Sequence, residues 1–211
     1  MIALGPSANL PPHIALELPM FVRFSLTLVL TLAAAVGGCD RGAPDAAQET
    51  TASPATTAGG TIDTGMAGEL MPAVALTDPT GAQLNTGALQ GGPVLLNLWA
   101  TWCAPCVKEM PLLDDLAGEY GDRLRVLTVS QDMGGADKVA AFFAQRDFAR
   151  LEPWLDPDTE LLFALGSSDL PTTVLYDAQG REVWRVSGDY DWASEEARAA
   201  IEEAVVSETD I

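Results

Sequence analysis

Cys103-Ala104-Pro105-Cys106 places two thiols three residues apart, a spacing at which one helical turn brings both sulfurs within bonding range. The run Val94 to Trp99 before them is apolar and bounded by Gly91-Gly92-Pro93, which predicts a buried strand. After them, Met110, Leu113, Ala117 and Tyr120 recur at three- and four-residue steps, which predicts a helix from Cys103 to Tyr120, ended by Gly121. Cys103 therefore stands at a helix start, where unpaired N–H groups and the helix dipole favour thiolate over thiol. The expected arrangement has Cys103 exposed and Cys106 one turn inward. A Cys103 thiolate can attack a partner disulfide to give a mixed disulfide, which Cys106 then resolves by attacking the Cys103 sulfur.

Other uses of a C-x-x-C pair are weighed by ligand count. A zinc site needs four ligands. The remaining cysteine, Cys39, and the single histidine, His13, both lie far upstream. No metal and no cofactor are expected. A purely structural disulfide stays open, although so small a loop would constrain the unfolded chain little. With no imidazole in the expected mature chain, Ser-His and Cys-His catalysis are excluded.

The chain has 211 residues, a net charge of −19 and 48% hydrophobic residues, enough for one domain with a core plus an appendage. Eleven Lys and Arg stand against thirty Asp and Glu, with no basic cluster, which argues against nucleic acid as a partner. From Met20 the sequence M-F-V-R-F-S-L-T-L-V-L-T-L-A-A-A-V-G-G-C has a positive residue, a thirteen-residue apolar stretch and small residues before Cys39. This is the layout of a secretory signal, and the run is short for a membrane span. Residues 1–38 are expected to be that signal segment, with translation expected to start at Met20. Residues 39–69, rich in Ala, Thr, Gly, Ser and Pro, read as a flexible tether reaching on the order of 30 Å. The folded domain is expected over 70–206, with 207–211 as a tail.

Within that domain, β segments are predicted at 73–76 and 83–85, strands at 94–99, 124–130, 172–176 and 182–186, and helices at 103–120, 138–145, 159–165 and 194–206. Asp177-Ala178-Gln179-Gly180 marks a hairpin between the last two strands. The fold class is α/β, a mixed central sheet flanked by helices on both faces, with an added N-terminal β segment.

V-L-L-N-L-W-A-T-W-C-A-P-C-V-K-E-M-P (94–111) resembles the active-site segment of the TlpA/ResA/DsbE branch of thioredoxin-like proteins. L-P-T-T-V-L-Y-D (170–177) is similar to that family's cis-proline segment, S-Q-D (130–132) falls where the family ends its next strand, and G-D-Y-D-W-A-S (188–194) is close to the tail of TlpA-like members. The resemblance implies a thioredoxin-like fold, with Cys103 the attacking thiol, Cys106 the resolving one and Pro171 the cis-proline beside them. Glu109 matches the acidic residue of ResA-like proteins, one helical turn after Cys106, and is expected to exchange a proton with the resolving thiol. An exposed helix-terminus role for Glu109 stays open. Ordinary thioredoxins carry a buried Asp where this chain has Asn97. Trp99 is expected to pack and Trp102 to face the surface, while Lys108, Asp189, Asp191 and Trp192 are expected to be solvated or structural. V-G-G-C at 36–39 resembles a lipobox, which implies that Cys39 is lipidated, and Asp40 implies retention at the inner membrane, on its periplasmic side.

By the same resemblance the expected function is reduction of partner disulfides, on apocytochrome c or copper-site assembly proteins, with a DsbD- or CcdA-type membrane reductase supplying electrons. An oxidant that introduces disulfides and a non-catalytic binding module are the alternatives.

Overall fold

The computed structural model describes residues 59–206. The expected signal segment, the lipidation site Cys39, most of the tether and the 207–211 tail lie outside the described residues.

Among the described residues, eight strands form one mixed sheet. In chain order they are β1 (Ile62–Asp63), β2 (Ala75–Thr77), β3 (Gln83–Asn85), β4 (Val94–Trp99), β5 (Arg125–Ser130), β6 (Trp154–Leu155), β7 (Thr172–Tyr176) and β8 (Glu182–Ser187). Their order across the sheet is β1-β8-β7-β4-β5-β6-β2-β3. The helices are α1 (Ala104–Tyr120), α2 (Ala136–Ala144), α3 (Glu160–Ala164) and α4 (Glu195–Val206). β4 runs parallel to β5 and antiparallel to β7, so it is central and buried on both faces. That explains its unbroken apolar sequence, in which Asn97 is the polar exception.

Side-chain alternation along β4 divides the core. Leu95 and Trp99 pack with Leu113, Val139 and Ile201 of α1, α2 and α4. Val94, Leu96 and Leu98 pack on the other face with Leu161 of α3. Helices therefore cover both faces, as the sequence predicts, and the expected N-terminal β segment forms the β2–β3 hairpin, which joins the sheet beyond β6.

Two elements depart from expectation. β6 has no sequence signal, because two residues carry no periodicity; it forms because Val129 and Ser130 offer an edge to Trp154 and Leu155. The fold also begins before Leu70. Ile62 pairs with Val186 and Asp63 with Arg185, closing the outer edge of β8, and the Gly60 N–H donates to the Asp189 carbonyl. Gly60 permits this approach, since a Cβ there would lie 2.4 Å from Val186 Cγ1. The expected tether boundary at residue 69 is thus corrected: low-complexity composition concealed an edge strand that only pairing creates.

Candidate active site

The loop that carries the cysteines leaves the C-terminal end of β4. Asp132, just past β5, holds it: its carboxylate accepts from the Thr101 N–H (2.8 Å), the Thr101 hydroxyl (2.6 Å) and the Ser130 hydroxyl (2.8 Å). Cys103 is the N-cap of α1, its sulfur accepting from the Cys106 N–H at 3.3 Å. Pro105 sits in the first turn, where its missing N–H breaks no helical bond.

Cys103 and Cys106 are joined in a disulfide, with Cα atoms 5.3 Å apart. Cys103 is 6% exposed and Cys106 not at all. The expectation of an exposed Cys103 is therefore corrected to a narrow solvent window, because its sulfur turns back over the helix start to reach Cys106. Trp102, in contrast, is 70% exposed beside the pair, while Trp99 is buried against Phe142.

The Leu170–Pro171 peptide is cis. Thr172 pairs with Leu98, so Pro171 arrives at the end of β4, where the cysteine loop begins. The four residues expected at the site within the described chain thus converge at one end of the sheet. Cys39 lies outside the described residues.

Glu109 is buried rather than exposed, at 3%. Its Oε1 accepts from Asn97 Nδ2 at 2.8 Å, and its Oε2 from Trp192 Nε1 at 3.1 Å. Burial pushes its carboxyl up to about 7, against the lowering effect of the Asn97, Trp192 and Tyr190 N–H donors, and the Asp189 charge adds to the rise. Desolvation thus outweighs three hydrogen bonds, leaving a carboxyl poised between acid and base near neutrality. One side opens on a recess of about 290 Å³ lined by Pro105, Lys108, Leu112, Asp189 and Tyr190.

Trp192 was expected to be merely structural; instead it touches the acid directly, brought there by the segment between β8 and α4. Asp132, whose role the sequence did not reveal, holds the cysteine loop. Both are fixed by contacts 83 and 31 residues away in the chain, which no local pattern reports. No group of three or more His, Cys, Asp and Glu residues that could hold a metal occurs among the described residues.

The redoxin family model matches residues 66–201. The chain belongs to the redoxin family. Within it, the chain is 30% identical over 122 residues to the thiol-disulfide oxidoreductase ResA of Bacillus thuringiensis, covering 58% of this chain and 70% of the relative. It is 32% identical over 119 residues to ResA of Bacillus subtilis, covering 56% of this chain and 65% of that relative. Among solved structures, a Chlorobium tepidum protein assigned as a DsbE-type thiol:disulfide interchange protein superposes with a TM-score of 0.59 at 25% identity, over 66% of this chain and 97% of that one. An exposed lipoprotein thioredoxin of Streptococcus pneumoniae gives a TM-score of 0.54 at 26% identity, over 62% and 99%. This redoxin is accordingly a thiol-disulfide oxidoreductase of the TlpA/ResA/DsbE kind, with the thioredoxin-like fold.

Proposed function

We propose that this redoxin is a membrane-tethered, extracytoplasmic reductant of partner disulfides, with Cys103 as attacking thiol, Cys106 as resolving thiol and Glu109 as the acid and base that serves Cys106. The observation that carries the thiol-exchange reading is the Cys103–Cys106 pair at the start of α1 with the buried Glu109 carboxyl, raised to about 7, one helical turn on. A buried thiol resists ionisation because its charge is desolvated. In the reduced protein, the Cys103 thiolate attacks the partner disulfide and one partner sulfur leaves with its electron pair. The Cys106 S–H then gives its proton to Glu109 as its sulfur bonds to Cys103. The second partner sulfur is released, and two electrons have passed from the dithiol to the partner. Pro171, next to the end of β4 from which the cysteine loop leaves, offers backbone for an extended partner segment.

The resemblance to ResA- and DsbE-type proteins supports apocytochrome c or copper-site assembly proteins as partners, and a DsbD- or CcdA-type membrane reductase as donor. The signal-like segment and Cys39 support a lipid anchor on the periplasmic side of the inner membrane. The S. pneumoniae neighbour, itself an exposed lipoprotein, supports a lipid anchor. The test is the redox state in living cells, fixed by acid quench and thiol alkylation. The Cys103–Cys106 pair should be dithiol with the donor present and disulfide once the donor is deleted. A pair already oxidised with the donor present would replace the reductant with the oxidant reading.

A further inference from the structure

Asn97 and Thr173 face each other across the β4–β7 ladder, and both are buried. Asn97 Nδ2 donates twice, to Glu109 Oε1 at 2.8 Å and to Thr173 Oγ1 at 2.9 Å. Its two amide protons are thereby used, while its Oδ1 is buried with no hydrogen-bond partner. Such an orphaned acceptor in a core is costly. Every protein group bonded to the Glu109 carboxyl is a donor, which suits its ionised form. When Glu109 is protonated, its O–H needs an acceptor, and neither Trp192 Nε1 nor the Tyr190 N–H can be one.

We propose that Asn97 is a positioning residue whose side-chain amide turns over as Glu109 gains or loses its proton, so that one residue serves both charge states. After the turn, Oδ1 faces Glu109 Oε1 and Thr173 Oγ1. The two lone pairs of Oδ1 then accept the carboxylic acid proton and the threonine hydroxyl proton, because a hydroxyl donates as readily as it accepts. The unmatched site passes from one Oδ1 acceptor to the two Nδ2 protons, while both orientations make two hydrogen bonds. Trp192 cannot invert, so it keeps Oε2 as acceptor and confines the proton to Oε1. The proton arriving from Cys106 thus stays on one defined oxygen, with no water needed inside the core. The ionisable Asp of ordinary thioredoxins could not do this beside Glu109, since two carboxylates there would repel.

Around the Glu109 carboxyl lie its donors Asn97, Trp192 and Tyr190, the recess residues Lys108, Asp189 and Asp191, Thr173 as the second partner of Asn97, and Cys106 one helical turn earlier on α1. In the disulfide form Cys106 does not titrate. The inference deepens the proposed role of Glu109 and rests on it, so the test separates the two.

The full chain contains three asparagines, Asn9, Asn85 and Asn97, which makes selective labelling direct. In oxidised protein with labelled asparagine, nuclear Overhauser contacts from the Asn97 amide protons to Glu109 and Thr173 should be present above the Glu109 midpoint and lost below it. The same contacts at both ends of the titration, or no midpoint between pH 5 and about 9 around the range of a perturbed carboxyl, would overturn the proposal. A second measurement uses Asn97→Ala, with the Glu109 carboxyl followed by its carbon shift. A residue serving both charge states should leave the midpoint within about half a unit when removed, whereas loss of a fixed donor to the charged form raises it by about one unit or more, which would refute the turnover. If Glu109→Gln leaves the exchange rate unchanged while the amide turns over, the proton-transfer role fails and this inference stands. If Glu109→Gln slows exchange while the amide stays fixed, the inference fails and the role stands.

Discussion

Replacing Glu109 by Gln removes one titration from the core and changes how stability depends on pH. In the folded chain the Glu109 carboxyl lies at about 7, against an ordinary 4.5 in the unfolded chain, chiefly through burial. A group whose folded pKa is raised binds more protons in the native state between those two values, so stability falls as pH climbs through that window. The contribution is full below about pH 4.5 and gone above about pH 7. The gap of about 2.5, at about 1.36 kcal/mol per unit, is worth about 3 kcal/mol. That is a large share of the 5–15 kcal/mol typical of a domain, roughly speaking. The assay is urea unfolding of the oxidised protein at closely spaced pH values, wild type beside Glu109→Gln. Both proteins share every other carboxylate, so the difference between their curves isolates Glu109. Wild type should lose about 3 kcal/mol relative to the variant between pH 4.5 and about 8, with no further divergence on either side. Parallel curves across that window would refute the claim that desolvation dominates the site.

Three other perturbations have defined outcomes. Asp132→Ala leaves the Thr101 N–H and two hydroxyls without their acceptor, so it should lower stability by about 2–4 kcal/mol and alter the alkylation rate of Cys103 in the reduced protein; an unchanged rate would show that the loop holds itself. Arg185 pairs with both oxygens of Glu182, each at 2.6 Å, and Glu182 is buried, so Arg185→Ala should cost about 3–5 kcal/mol at neutral pH by stranding a carboxylate, and a urea midpoint equal to wild type would contradict this. Cys39→Ala should release the protein from membranes or leave an unprocessed precursor, and partitioning of the wild-type protein into the aqueous phase of a detergent separation would remove the lipid anchor from the proposal.

Much of the fold and the redox pair was legible in sequence because the signals are local. β4 announces itself by six consecutive buried positions, α1 by its three- and four-residue apolar step, and the β7–β8 hairpin by Asp177 and Gly180, whose turn bonds the structure shows. The ability of Cys103 to pair with Cys106 follows from their spacing at a helix start, since three residues in a first turn bring the sulfurs within bonding range. The position of Glu109 on the Cys106 face is equally a matter of helical period.

What the tertiary structure decided is the environment that turns those residues into a site. Helical period gives Glu109 a direction, but its burial comes from β4, β7 and the segment carrying Trp192, and only burial lifts its carboxyl toward neutrality. Asn97 reads in sequence as a residue that cannot ionise; across the ladder from Thr173 it becomes a donor to the acid, with its own oxygen unmatched. β1 and β6, two residues each, have no pattern of their own and exist because a neighbouring strand edge offers them hydrogen bonds. Periodicity and spacing are properties of a few adjacent residues and survive in the sequence. Desolvation and strand pairing depend on residues distant in the chain, such as Asn97 with Thr173, Glu109 with Trp192 and Ile62 with Val186, and they appear only once the chain has closed around them.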